Sequence, residues 1–202
     1  MRQAGAAVIL ALLLAPGSPG QRQRKRPQPK APLDDVRGQD PFDLQQFTGT
    51  WFLVGMASEC GYLRDHSHQL EATALHAEAV DRSLAFGTFR KLDGICWNVK
   101  QWYGPTKTNA RFLLRGRGSG GSVDLVVGET DYSQYAILYF QKQRRLSIKL
   151  YVRAVPASDQ VLSRFEQRVL DAKLSEDVTY YFPTYGFCDS ADEFHVLDER
   201  RG

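Results

Sequence analysis

The sequence predicts an all-β protein, an eight-stranded antiparallel up-and-down barrel with one C-terminal α-helix packed outside it. Three observations carry that expectation. Apolar and polar residues alternate in short runs, as in SVDLVVGET and RLSIKLYVR, the period of strands that bury one face. Turn-forming stretches punctuate the runs at short spacing, with LDG at 92–94, YGP at 103–105 and GRGSGG at 116–121. That spacing suits consecutive hairpins. Only late in the chain does the period become helical. Closure into a barrel is expected because an open sheet of this length would leave unpaired edges.

The elements follow in order. Residues 1–20 read MRQAGAAVILALLLAPGSPG: one basic residue (Arg2), an apolar stretch from Ala6 to Ala15, then small residues. This is the grammar of a signal peptide, and the stretch is too short to span a bilayer. Pro16, Gly17 and Pro19 end any helix there. No later stretch is long and apolar enough to span a membrane, so a secreted, extracellular protein is expected. Residues 21–40 are rich in Arg, Gln and Pro with little to bury, and they predict a disordered basic tail. Its RQRKR run could meet a polyanion, but the whole chain carries only +3. A solvated tail is the better reading, and no nucleic-acid partner is expected. From Pro41 the composition is aromatic-rich and globular, so 41–202 is read as one domain with one core.

Within that domain FTGTWFLV at 47–54 opens the first strand, with Gly49 two residues ahead of Trp51. The run at 122–130 places Val123, Leu125 and Val127 on one face, and the run at 145–153 places Leu146, Ile148, Leu150 and Val152 on another. Around 158–174, Val161, Leu162, Phe165 and Val169 form a helical stripe, with Ser158 or Asp159 as N-cap. A short strand is expected near TYYF.

Catalytic chemistry finds little support. His66, His68, His76 and His195 include an HSH pair, but a third ligand at metal-site spacing is missing, so solvated histidines are expected. No nucleophile elbow, phosphate loop or dinucleotide fingerprint occurs. The reading is a non-enzyme with no metal and no cofactor. The three cysteines, Cys60, Cys96 and Cys188, leave one over in an oxidising compartment.

Three short stretches, GTW at 49–51, TDY at 130–132 and Arg153 at the end of the last barrel strand, resemble the signature regions of the lipocalin family. The resemblance implies a calyx whose base is built from Gly49, Trp51 and Arg153. The tryptophan plugs the closed end, the guanidinium stacks over its indole, and the glycine lets the chain turn tightly into the strand. FRKLDGICWNV, FEQRV, YFPTYGFC and FHVLDE are similar to a lipocalin of the terminal complement pathway. The likeness runs over about 41–202.

That resemblance implies an intrachain disulfide between Cys96 and Cys188, and an interchain disulfide from Cys60 to a pore-forming alpha subunit. The position corresponding to the catalytic thiol of enzymatic lipocalins is Thr73, an unactivated hydroxyl. If Arg153 turns inward, so do Ser147, Lys149 and Tyr151; if Cys96 points out, then Trp97, Val99, Gln101 and Tyr103 point in. Trp51 likewise places Leu53 and Gly55 inside. The expected cavity is apolar and aromatic, suited to a small lipophilic ligand, with Tyr103 and Tyr151 able to occlude it. Two functions stay open. One is a covalently attached subunit of a membrane attack complex that does not itself insert into membrane. The other is a free carrier of a small hydrophobic molecule.

Overall fold

The computed structural model describes residues 31–116, 121–188 and 194–198. The expected signal peptide and the basic run of the tail lie outside the described residues. Eight strands wind in sequence order: β1 (Gly49–Ser58), β2 (Thr73–Val80), β3 (Ser83–Leu92), β4 (Ile95–Pro105), β5 (Arg111–Leu114), β6 (Val123–Thr130), β7 (Tyr135–Lys142) and β8 (Arg145–Val152). Each pairs antiparallel with the next, and β8 returns to β1, closing the barrel. The β3–β4 turn is made at Asp93 and Gly94, both at positive φ, the conformation a tight hairpin turn needs.

Alternation along the strands splits the apolar residues into two clusters. One fills the barrel and includes Trp51, Leu53, Leu75, Phe86, Tyr103, Leu138 and Tyr151. The other lies outside the wall, where Ile137, Ile148, Leu150 and Val152 meet Val161, Phe165 and Val169 of a helix. That helix, α3 (Asp159–Asp171), is capped by Ser158, whose side chain accepts from the Val161 amide. It follows two short helices, α1 (Leu44–Phe47) and α2 (Gly61–His66). Each of the three buried side chains of α3 contributes about 1.5–3 kcal/mol by leaving water. The outward face expected from Leu146 to Val152 is the face the helix covers.

Two bulges interrupt the alternation, and both serve the helix. The β1–β8 register shifts between Leu53 and Gly55, so Gly55 faces outward instead of into the lumen as its parity predicted. A Cβ on Gly55 would stand 2.9 Å from the Phe165 ring, which explains the glycine. The β6–β7 register shifts between Val127 and Glu129, which turns Glu129 toward the helix. There Glu129 accepts hydrogen bonds from Arg164, Arg168 and the Tyr135 hydroxyl. Burial pushes the Glu129 carboxyl up, but these three donors outweigh it and hold it below its ordinary value.

Residues 31–40, expected to belong to the disordered tail, are ordered against the wall. Leu33 is fully buried in the outer cluster, its amide donates to Gln141, and the Gln39 amide donates to the Val127 carbonyl. Leu33 and Val36 sit in a charged context that conceals them from composition.

After α3 the chain lays two more strands on the barrel. Strand β9 (Thr179–Tyr181) pairs with β1 at Gly55–Ala57, where β2 has diverged. Strand β10 (His195–Asp198) runs parallel to β4 at Trp97–Lys100, since β5 reaches β4 only at Gly104–Pro105.

Candidate ligand lumen and free cysteine

The closed end of the barrel is assembled from the three signature stretches. Trp51 is fully buried, its indole nitrogen donates to the Phe47 carbonyl at 2.9 Å, and the two rings stack at 5.2 Å. The Arg153 guanidinium lies over the indole, 3.6 Å from the ring centroid. The same group donates to the carbonyls of Gln46, Phe47, Thr48, Thr50 and Tyr132. Burial lowers the Arg153 pKa from its ordinary value, yet the side chain stays charged because arginine starts so high. Gly49 has φ +100, and a Cβ there would stand 3.0 Å from the Arg153 guanidinium. The glycine therefore serves the arginine as well as the turn.

The TDY stretch is a hydrogen-bonded corner. Asp131 accepts from the amides of Ser133, Gln134 and Tyr135, while the Thr130 hydroxyl donates to the Tyr135 carbonyl. The corner aims the Tyr132 carbonyl at Arg153 and the Tyr132 hydroxyl at the Asp43 amide. Thus residues far apart in sequence meet at one knot beneath the core.

Above that knot the lumen has two levels. In the lower one Leu53, Tyr103 and Tyr151 are buried. Tyr103 packs on Phe86 at 5.2 Å and reaches Phe140 on the opposite wall at 6.3 Å, edge to face. An aromatic bar therefore crosses the barrel. In the upper level Trp97, Val99, Gln101, Ser147 and Lys149 are only half-buried, although strand parity turns them inward. Ser58 and Ser147 join their hydroxyls at 2.8 Å between β1 and β8. The Tyr103 hydroxyl donates to Gln101, tying bar to wall. Lys149 holds its ammonium 4.6 Å from the Phe140 ring centroid. Burial, and then the charge of Arg90, push its pKa down to about 8.

Of the residues expected to face the lumen, Leu53, Trp97, Val99, Gln101, Tyr103, Ser147, Lys149 and Tyr151 lie at positions of inward parity on β1, β4 and β8, and Gly55 does not. Sequence reading missed Phe140, which completes the bar. It also missed a second hollow of about 320 Å³ outside the barrel, walled by Phe52, Phe89, Phe187 and Phe194 with His76 at its edge.

Cys96 and Cys188 are joined, Cα to Cα 5.8 Å, which pins the segment after α3 to β4. Cys60 is free and partly exposed. It leads into α2 at the open end of β1, with its carbonyl accepting from the Arg64 amide. Beside it Tyr62 is 67% exposed and stacks on His66 at 4.2 Å.

The remaining chemistry is dispersed. Thr73 is buried and its hydroxyl donates to the Glu71 carbonyl. His76 contacts Thr50 and Glu78, and His195 packs on Trp97. Among the described residues no three His, Cys, Asp or Glu side chains gather as a metal site. No described helix is long and apolar enough to cross a membrane.

Comparison with known proteins agrees with this architecture. The model of the lipocalin / cytosolic fatty-acid binding protein family matches residues 48–185. The chain is 52% identical over 198 residues to the complement component C8 gamma chain of Oryctolagus cuniculus, covering 98% of each. It is 25% identical over 162 residues to protein AMBP of Bos taurus, covering 77% of this chain and 46% of that one. The chain thus spans about half the length of AMBP. Among solved structures, the siderocalin Ex-FABP superposes with a TM-score of 0.62 at 14% identity, over 70% of this chain and 96% of the other, a likeness of fold.

Proposed function

The chain belongs to the lipocalin / cytosolic fatty-acid binding protein family, and we propose that it is a secreted, non-enzymatic subunit of the terminal complement (membrane attack) complex. Cys60 links it covalently to the pore-forming alpha subunit of the eighth complement component, and through that to the beta subunit. The single observation that carries the reading is the division of the cysteines. Two are consumed by a staple within the chain, and the third stands partly exposed at the barrel mouth. An unpaired accessible thiol is a liability for an extracellular protein unless a partner takes it. The 52% likeness to a complement C8 gamma chain over nearly the full length supplies the kind of partner.

The partner surface includes the loop from Glu59 to Gln69, because a bond at Cys60 fixes that loop against the other chain. Two surfaces must dock before a disulfide can form between them, so contact outlasts the bond. In the Cys60→Ser variant the covalent dimer should vanish from a non-reducing gel while co-purification with the alpha subunit persists at low stringency. Recovery of the native chain only as a monomer, with a free or small-molecule-capped Cys60, would defeat the subunit reading.

A second activity is compatible with the first. The half-exposed upper lumen, walled by Trp97, Val99 and Gln101, suits a small lipophilic ligand above the aromatic bar. As a free carrier the chain would have that activity alone.

A further inference from the structure

Lys149 is the feature of the lumen that neither a plug nor a passive apolar cup requires. It lies on β8 between two residues of the outer cluster, Ile148 and Leu150, and shares its inward parity with Tyr151. Its strand neighbours are Met56 on β1 and Leu138 on β7, both uncharged. Among the described residues no carboxylate pairs with it. Its ammonium rests instead against the Phe140 ring, at the top of the aromatic bar that Tyr103 and Phe86 complete. The one charged group acting on it from another strand is Arg90 of β3, a like charge. Its neighbours toward the mouth, Ser147, Gln101 and Trp97, are only half-buried, as is Lys149 itself. An amine placed so is partly stripped of water, repelled by a cation and unneutralised by an acid, the conditions under which lysine becomes a nucleophile.

We propose that Lys149 captures lipophilic aldehydes covalently and reversibly as imines. This rests on the reading of the barrel as a ligand-binding lumen and names the ligand class. The neutral amine attacks the carbonyl carbon to give a carbinolamine. The nitrogen then loses its two protons, the former carbonyl oxygen leaves as water, and a C=N bond replaces C=O. No oxidant or reductant is consumed, and hydrolysis reverses the step. The alkyl chain lies along Phe140, Val99 and Trp97. With its pKa down to about 8, about one Lys149 side chain in five is neutral at pH 7.4, against about one in a thousand for an ordinary lysine.

The test uses the full chain with n-decanal and sodium cyanoborohydride, which reduces any imine to a stable decyl amine, followed by peptide mass mapping. Binding of 1-decanol, which cannot form an imine, is followed in parallel by calorimetry. The expected result is a decyl adduct on Lys149 about tenfold above any other lysine. The adduct should disappear in Lys149→Met and Lys149→Arg, both of which should keep the circular dichroism spectrum of the wild-type chain. Label spread over surface lysines such as Lys91, Lys100 and Lys142, with Lys149 unmodified and 1-decanol bound, overturns the proposal and leaves the lumen reading standing. Failure of the wild-type chain to bind 1-decanol at all overturns the lumen reading, and the proposal with it.

Discussion

The Arg153 guanidinium lies 3.6 Å from the centroid of the Trp51 ring, and five backbone carbonyls hold it there. The pair joins the start of β1 to the end of β8, so the barrel is tied at the point where the first strand meets the last.

Trp51→Ala should therefore lower stability by about 3–5 kcal/mol, the range for emptying a buried aromatic site. Denaturant unfolding followed by tyrosine fluorescence or circular dichroism measures it. A loss under about 1 kcal/mol would show that the plug does not hold the base.

The staple closes a loop with a sequence separation of 92. Replacing both Cys96 and Cys188 by Ser should cost about 2–5 kcal/mol, from loop entropy regained by the unfolded chain. Amide exchange at Val196 and Leu197 should quicken as β10 comes away from β4. Unchanged exchange there would show that β10 holds without the bond.

The aromatic bar predicts a change in ligand length. Tyr103 spans from Phe86 to Phe140, and Tyr151 is buried on the same level. Tyr103→Ala or Tyr151→Ala should join the upper lumen to the space below and raise affinity for long acyl chains over short ones. Equal affinity of wild type and both variants for a chain-length series would count against the bar as the floor of the site.

The Glu129 cluster predicts a pH dependence of definite sign. The Glu129 carboxyl is held below its ordinary value in the folded state. Its stabilising effect is therefore full above the unfolded value of about 4.3 and is lost as pH falls through the folded one. Glu129→Gln should be less stable than wild type near neutral pH, with the gap closing below about pH 4. A gap of the same size at both ends of that range would mean that helix docking does not depend on the carboxylate.

Much of this architecture was legible in the sequence because strand faces have different destinations. RLSIKLYVR reads cleanly since Lys149 and Tyr151 enter the lumen while Ile148 and Leu150 meet the helix. The same logic failed on β7, where Tyr135 to Tyr139 are all buried because both faces are covered. Periodicity vanishes there, and Phe140 went unseen. Bulges defeat parity outright: Gly55 and Glu129 are each one residue out of phase with the strand before them, and no local residue pattern marks the slip. Leu33 and β10 were hidden because each depends on a wall built elsewhere, whereas β9 falls where a short strand was expected near TYYF. The cysteines were assigned by resemblance, and their pairing in the structure follows the family pattern.

The parallel strand β10 completes the upper wall of β4 from far along the chain. During synthesis, that part of the wall stays unfinished for roughly 5–20 s after β4 is made, at ordinary translation rates. Throughout that interval Cys96 has no native partner, because Cys188 has not yet been made, and the one other thiol in existence is Cys60. The wrong bond, Cys60 to Cys96, is thus open to the nascent chain before the right one, and it would occupy both thiols until Cys188 is made. Were that bond to form, attack by the Cys188 thiolate on its Cys96 sulfur would give the native pair and return Cys60 as a thiol. Seen as a sequence in time, the tail that completes the wall of β4 also supplies the thiol that leaves Cys60 as the unpaired one.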